Sequence, residues 1–556
     1  MKDHYQANAI LCDRRIARQL QLQCMDEHSP LYGAVENMVL GYTSANDGGV
    51  GPASAYILAY YTPASAYYRQ EMLMRRAQLA LEYALRLQNE DGTLDLPQTN
   101  FHDAAETAFA VGFLYPAASA MAALRGDSAV ETVVWQRLQR LCDGFANGIL
   151  AGGFHTPNHR WVISAACAIL ARIVGRTDCL DYMRQFLAEG IDCDENGEFT
   201  ERSAGTYNYV CDRALFYLAQ EANMPELYAH IERNLRMMLC YFEPDETINT
   251  MNSTRQDNGT RPSATYYYGI YLAMALQTGD AQFAAVADRM LACLQANLVL
   301  NADFCQSGFD FLHLFLLNPA LSQKQAAICA QESAPDCNRF FASSGVARYR
   351  AGEFSATLVQ ASPDFLKLQF GTHAMTVRLA GCFYARGQFA AQRIEAIEGG
   401  YRLYFHDRWG YKRPLPTPQG TSDWRKMDHS QRPEAMMRDF DYCVEVFLRQ
   451  NGATVRFACS GCENVPLKLE FILEPNGKYA VNDVELWLRK GAYVYQKCGE
   501  SRYWFADRRS LRISGGFCAH TYGENMRGTL GGEPERATIA MTAYSPCEQE
   551  VALVFE

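Results

Sequence analysis

The sequence predicts an α+β multidomain chain, with helical hairpins over residues 1–330 and an antiparallel β-sandwich over residues 331–556. Three observations carry that prediction. Apolar residues recur at helical spacing from about Tyr32 to Leu317. After about Ala330 the apolar segments become short, β-branched or aromatic, and are separated by Gly, Pro, Asp and Asn. The chain has 556 residues, more than a single core usually holds.

In the first half, Met72–Leu87 is an amphipathic run that stops at Asn89-Glu90-Asp91-Gly92, a helix-ending turn sequence. Similar runs follow at Val130–Phe145, Trp161–Val174, Leu180–Leu187, Leu215–Ala222, Ile231–Phe242, Tyr266–Leu276, Phe283–Leu294 and Phe309–Leu317. Acidic, Gly-containing turns such as Asp194-Glu195-Asn196-Gly197 join some of them. Polar Gln331–Asn338, which contains Pro335, reads as the domain boundary. Beyond it, short segments such as Phe365–Phe370, Val444–Leu448, Thr454–Ala458, Leu467–Leu473 and Thr538–Thr542 follow without intervening helices, the pattern of an antiparallel sandwich. Pro414–Pro433, rich in proline and charge, reads as a long loop placed to lie over a cleft.

Composition narrows the function. Hydrophobic residues make up 49% and charged residues 20%, a globular balance with little room for long disordered tracts. A net charge of −11 argues against nucleic acid as a partner. It leaves an anionic sugar open, because a local Arg and His group outweighs charges screened beyond ~10 Å. The start, Met1-Lys2-Asp3-His4-Tyr5-Gln6, lacks the pattern of a secretory signal, and no apolar run is read as reaching the ~18 residues of a membrane span. Nineteen cysteines without a signal fit a reducing, cytoplasmic location. Cys459-Ser460-Gly461-Cys462 has no second pair to complete a zinc site and reads as a turn with two thiols, so no metal is expected. The sequence does not decide between a monomer and a homo-oligomer.

Four polar clusters carry the candidate chemistry, each running into an apolar helix. They are Asn100-Phe101-His102-Asp103, Pro157-Asn158-His159-Arg160, Glu201-Arg202-Ser203 with Tyr207, and Asn252-Ser253-Thr254-Arg255-Gln256-Asp257. Asp103, His159, Tyr207 and Asp257 succeed one another at steps of 56, 48 and 50 residues, about two helices and two turns. Hairpins of that length packed side by side return the chain to one face, where all four clusters are expected to meet.

Asn158-His159-Arg160 sits where a loop enters a helix, beside free backbone N–H groups, a favourable place for a carboxylate. Asn158 donates, and His159 donates or, when neutral, accepts a proton. A tyrosine in proton transfer needs a cation to lower its pKa of ~10, and Arg202, His159 and Arg255 are candidates beside Tyr207. Arg255 suits bidentate binding of a carboxylate, with Asp257 orienting it. His373, in Phe370-Gly371-Thr372-His373-Ala374, either reaches from the sandwich to the helical loop face or is an ordinary strand-end histidine.

Taken together these pieces resemble the heparinase II/III-like and oligoalginate lyases, which combine an incomplete (α/α) toroid with an antiparallel β-sandwich. The resemblance is strongest at Asn158-His159, where that family often places a residue that neutralises a uronate carboxylate. Gly197-Glu198-Phe199 and Ser203–Tyr207 resemble its Gly-containing turn and the segment with its catalytic tyrosine. His373 falls where a sandwich histidine is expected, in Gly-Thr-His-Ala rather than the common His-x-His. The resemblance implies β-elimination on an acidic oligosaccharide without a cofactor. Asn158, His159 and Arg255 would stabilise the carbanion beside the carboxylate, at ~3–4 kcal/mol for each preorganised hydrogen bond. Tyr207 would act on the C5 proton or the leaving O4, with His159 or His373 as partner. Arg160, Arg202, Glu201, Asp257, His102 and Asp103 complete the substrate-binding set.

Two rivals remain. A glycoside hydrolase would use a carboxylate pair from Asp103, Glu106, Glu201 and Asp257, set ~5–9 Å apart. A non-catalytic carbohydrate-binding scaffold would present Trp161, Tyr266 and Tyr267 as aromatic platforms.

Overall fold

The structure is a computed structural model that describes residues 1–37, 41–153, 155–296, 306–330, 336–415 and 423–556. Two compact units emerge, Met1–Phe242 with Glu246–Pro335, and Glu243–Asp245 with Asp336–Glu556. Residues 331–335 of the expected boundary segment lie outside the described residues.

Among the described residues the first unit holds thirteen α-helices. They are α1 (His4–Leu22), α2 (Gly51–Tyr61), α3 (Glu71–Leu87), α4 (Ala104–Leu124), α5 (Ala129–Leu150), α6 (Pro157–Ile173), α7 (Asp178–Leu187), α8 (Tyr207–Glu221), α9 (Tyr228–Tyr241), α10 (Tyr268–Thr278), α11 (Ala281–Ala296), α12 (Gln306–Leu317) and α13 (Ala320–Ala327). Helix α2 packs on α4, α4 on α6 and α6 on α8, while α12 touches α10, α4 and α2. These form the inner ring of a helical toroid. Helices α3, α5, α7, α9 and α11 alternate with them in sequence and return the chain, so α4, α6 and α8 enter the ring from one end. Small and apolar residues cover inner helices such as α4 and α10 on all sides, as burial on all sides requires. Tyr209 of α8 donates to Asp310 of α12 at 2.7 Å, and Arg213 pairs with the same carboxylate at 3.0 Å.

The reading that no apolar stretch is long enough to cross a membrane needs correction. Helix α4, 21 residues long, passes by length and composition, and most of it is buried in the ring. Its Ser, Thr, Tyr, Gly and Pro residues break the apolar run in sequence without adding charge.

The second unit is a sandwich of two sheets. One has nine strands in the order Val484–Leu488, Gly477–Val481, Ser501–Trp504, Ser510–Ile513, Cys547–Phe555, Gly452–Ser460, Glu434–Arg449, Gly400–Lys412 and Arg393–Ile397. The other has eight, in the order Tyr493–Tyr495, Ala537–Tyr544, Pro466–Leu473, His373–Gly381, Leu366–Phe370, Phe354–Val359, Val346–Ala351 and Cys337–Phe341. All the pairings are antiparallel except Tyr493–Tyr495 with Ala537–Tyr544. Alternate residues such as Leu379, Leu469, Val444 and Val455 fill the core. Glu243, from the short segment that belongs to this unit, pairs with buried Arg348 at 3.1 Å and accepts from Ser355.

Candidate active site

The site grows from three helix starts in the toroid. At α6, Thr156 precedes Pro157, and its backbone N–H donates to His159 Nδ1 at 3.2 Å. A neutral His159 with Nδ1 as acceptor carries its proton on Nε2, which makes it a donor there. One residue earlier, Asn158 is fully buried, and Nδ2 donates to Glu201 Oε2 at 2.8 Å and to Thr156 Oγ1 at 2.9 Å.

At α8 the chain turns sharply through Arg202, which takes the left-handed conformation (φ 51°). Buried Ser203 accepts from the Tyr207 N–H at 3.1 Å and donates to Asp257 Oδ1 at 2.9 Å. Gly205 donates its N–H to Asp257 Oδ2 at 2.9 Å, and a Cβ at that position would lie 2.7 Å from the same oxygen. Only glycine lets the backbone approach so closely. Ser253 also donates to Asp257. The third and fourth clusters are thus bound together through one carboxylate.

Arg255 pairs with Glu201 at 3.5 Å, and its guanidinium lies 5.1 Å from the centroid of the Tyr207 ring. Gln256 donates to the Tyr207 hydroxyl at 2.6 Å. Burial pushes the Glu201 carboxyl above its ordinary range, against the opposing hydrogen bond from Asn158 and charge of Arg255. The result is a continuous contact path Asn158–Glu201–Arg255–Tyr207–Gln256 across three of the four clusters. Beneath it, buried Glu198 accepts from Asn252 at 3.2 Å and from Asn208 at 3.4 Å.

Several sequence assignments change. Asn158 was expected to donate to a uronate carboxylate, but both its N–H bonds are committed and it is wholly buried, so it holds Glu201. Asp257 does not orient Arg255; it fastens Ser203, Gly205 and Ser253. Arg160 lies over Trp161 at 4.7 Å and pairs with Glu189 at 3.1 Å and Asp192 at 3.5 Å. His102 is exposed and pairs with Asp91 at 2.7 Å. Asp103 caps α4, accepting from the Ala105 and Glu106 N–H groups at 2.8 and 3.1 Å. The first cluster is therefore held in its own surroundings, although α4 reaches the second through Phe109, whose ring lies 6.1 Å from His159. In the sandwich, His373 stacks on Phe505 at 4.2 Å, with its two ring nitrogens each 3.0 Å from a carboxylate, Glu474 and Asp507. Trp161 and Tyr267 are buried and offer no open platform, and half-buried Tyr266 packs on Tyr209 at 4.4 Å.

Gln256 had no role in the sequence reading, and its only signal was its place between Arg255 and Asp257. Asn46 had none. It donates to Glu106, whose carboxyl burial raises to about 7; Asn46 opposes that rise, while Asp103 and Asp47 add to it.

A helical toroid followed by an antiparallel sandwich is the fold shared with solved heparinase-like polysaccharide lyases. Chondroitin AC lyase of Streptomyces coelicolor is similar at a TM-score of 0.53 and 12% identity, over 98% of this chain and 79% of that one. Heparinase III is similar at 0.51 and 10%, over 100% and 85%, and a mutant of heparan sulfate lyase HepC from Pedobacter heparinus at 0.50 and 10%, over 99% and 82%. Glycoside hydrolases align too, at TM-scores of only 0.30 to 0.33. No family model and no curated sequence matches the chain.

Proposed function

We propose that the toroid site cleaves uronic-acid-containing oligosaccharides by β-elimination. The observation that carries this reading is Tyr207, a phenol at a helix start with Arg255 beside its ring and Gln256 on its hydroxyl. Removing the C5 proton places negative charge next to the substrate carboxylate, and a fixed guanidinium offsets both charges at once. Arg255 is the cation that meets the carboxylate, with Glu201 and Asn158 behind it as positioning residues. Tyr207 acts in its phenolate form: it takes the C5 proton and passes it to the departing O4, which regenerates the phenolate, and Gln256 donates to that charged oxygen. His159, with Nδ1 accepting from the backbone, serves as a donor and not as the base. This chemistry calls for no cofactor. The lyases with this fold include enzymes named for chondroitin, heparan sulfate and xanthan, all acidic glycans, which supports the substrate class.

The test is a panel of uronate oligomers read by ultraviolet absorbance, since elimination creates a conjugated unsaturated uronide and hydrolysis does not. Tyr207→Phe is expected to lower kcat by about 10²–10⁴ with the fold intact. Near-normal turnover in that variant would remove Tyr207 from the mechanism. A hydrolytic reading has one observation in its favour, the Glu106 carboxyl raised to about 7, the range of a general acid. Product without ultraviolet absorbance, lost in Glu106→Gln and retained in Tyr207→Phe, would establish that reading instead.

A further inference from the structure

Strands Gly400–Lys412 and Glu434–Arg449 run on past both of their neighbours. Of the first strand, Arg393–Ile397 covers only Gly400–Tyr404, and of the second, Gly452–Ser460 covers only Asp441–Arg449. From Asp407 to Lys412 and from Glu434 to Phe440 the two strands pair with each other alone, as an arm beyond the sheet.

Side chains alternate along a strand, and the face that carries Tyr401 and Leu403 into the core continues outward to Trp409 and Tyr411, with Arg438 opposite Trp409. There the core has ended. Trp409 is 39% and Tyr411 61% exposed, and Trp424, in the segment between the strands, is 65% exposed. Tyr384 stands edge-on to Tyr411 at 5.2 Å, and Arg386 lies 4.2 Å from the Trp409 ring centroid. Open apolar rings grouped in this way mark an interaction surface. From Asp407 to Phe440 the arm and the segment between its strands carry seven Lys and Arg against five Asp and Glu, a local excess of cations in a chain of net charge −11.

We propose that this arm is an accessory binding surface for an acidic glycan chain, with sugar rings on Trp409 and Tyr411 and carboxylate or sulfate groups on Arg438 and its neighbouring cations. Rings two residues apart on one strand face stand about 7 Å apart, close enough to engage successive sugars. The proposal rests on the acidic-glycan reading of the substrate, but it concerns binding away from the bond that is cleaved.

The test is electrophoresis of the full chain through gels containing alginate, chondroitin sulfate or heparin, with neutral dextran as control and sedimentation with anionic lipid vesicles in parallel. At least one acidic glycan should retard the protein. Trp409→Ala/Tyr411→Ala should weaken that retardation at least tenfold and Arg438→Ala severalfold, with unchanged thermal unfolding and unchanged turnover of a short uronate oligomer. Added salt should weaken it too. Equal retardation of parent and variants, no retardation by any acidic glycan, equal retardation by dextran, or vesicle binding lost in the same variants would overturn the proposal. Retardation needs no turnover. Loss of retardation in the variants with no ultraviolet-absorbing product from any oligomer would keep the arm and sink the elimination reading; the reverse pattern would sink the arm alone.

Discussion

Glu106 is held by Asn46 at the start of α4, with its carboxyl raised to about 7 by burial and by Asp103 and Asp47. Its ordinary value is 4.5. Below that value both folded and unfolded chains keep the proton, and the full stabilisation is present. Between 4.5 and about 7 the unfolded chain loses the proton first, so stability falls as pH rises, and above that window the loss is complete. Glu106→Gln should therefore flatten the stability profile between pH 4.5 and 7 and make the variant relatively more stable at pH 8, by up to about 3 kcal/mol. Denaturant unfolding of both proteins at pH 5 and pH 8 checks this, and parallel profiles would disprove it. At the same scale the residue types at the site were legible, since Tyr207, Arg255 and Glu201 all lie in clusters that stood out by composition and spacing. Their partners were not. Asn158 looked like a substrate ligand because an amide at a helix start has free donors in isolation, and only packing shows that Glu201 and Thr156 consume them.

At the scale of elements, Asp257 is the fastening between the turn before α8 and the loop that carries Arg255. Three donors converge on it, from Ser203, Ser253 and Gly205. Asp257→Ala should leave those groups without their acceptor and cost about 2–4 kcal/mol, seen as a Tm lowered by several degrees. It should also lower kcat, because Arg255 and Tyr207 are carried on the two pieces that it joins. An unchanged Tm would show that the loops are held by other means. The helices flanking this turn were readable from their apolar spacing, with α7 expected over Leu180–Leu187 and found over Asp178–Leu187. Helices α1 and α13 lie outside the region read as helical, and α2 lies inside it without a run of its own. Most of α1 is polar, and α2 is so uniformly apolar and aromatic that it has no polar face to reveal its period.

At the scale of the molecule, the sandwich buries a charged pair, Arg348 with Glu243, alongside Ser355 and Thr357. Removing one partner from a buried pair strands the other, at about 3–5 kcal/mol. Glu243→Gln should accordingly lower the thermal stability of the protein well beyond what a surface Glu→Gln change does, and calorimetry of the two variants decides the point. Glu243 follows α9 in the first half of the chain and belongs to the second unit, which no local pattern announces.

The sequence by itself determined the order of helical and strand-forming regions, because hydrophobic period is a local property set by which face of each element must leave water. It also determined that polar clusters recur at hairpin intervals. Only the tertiary structure decided which of them share a site. The choice among donors and acceptors depends on which buried groups lie within hydrogen-bonding distance. That is set by the packing of α6, α8 and the loop before α10 against one another, and residue spacing along the chain does not specify it.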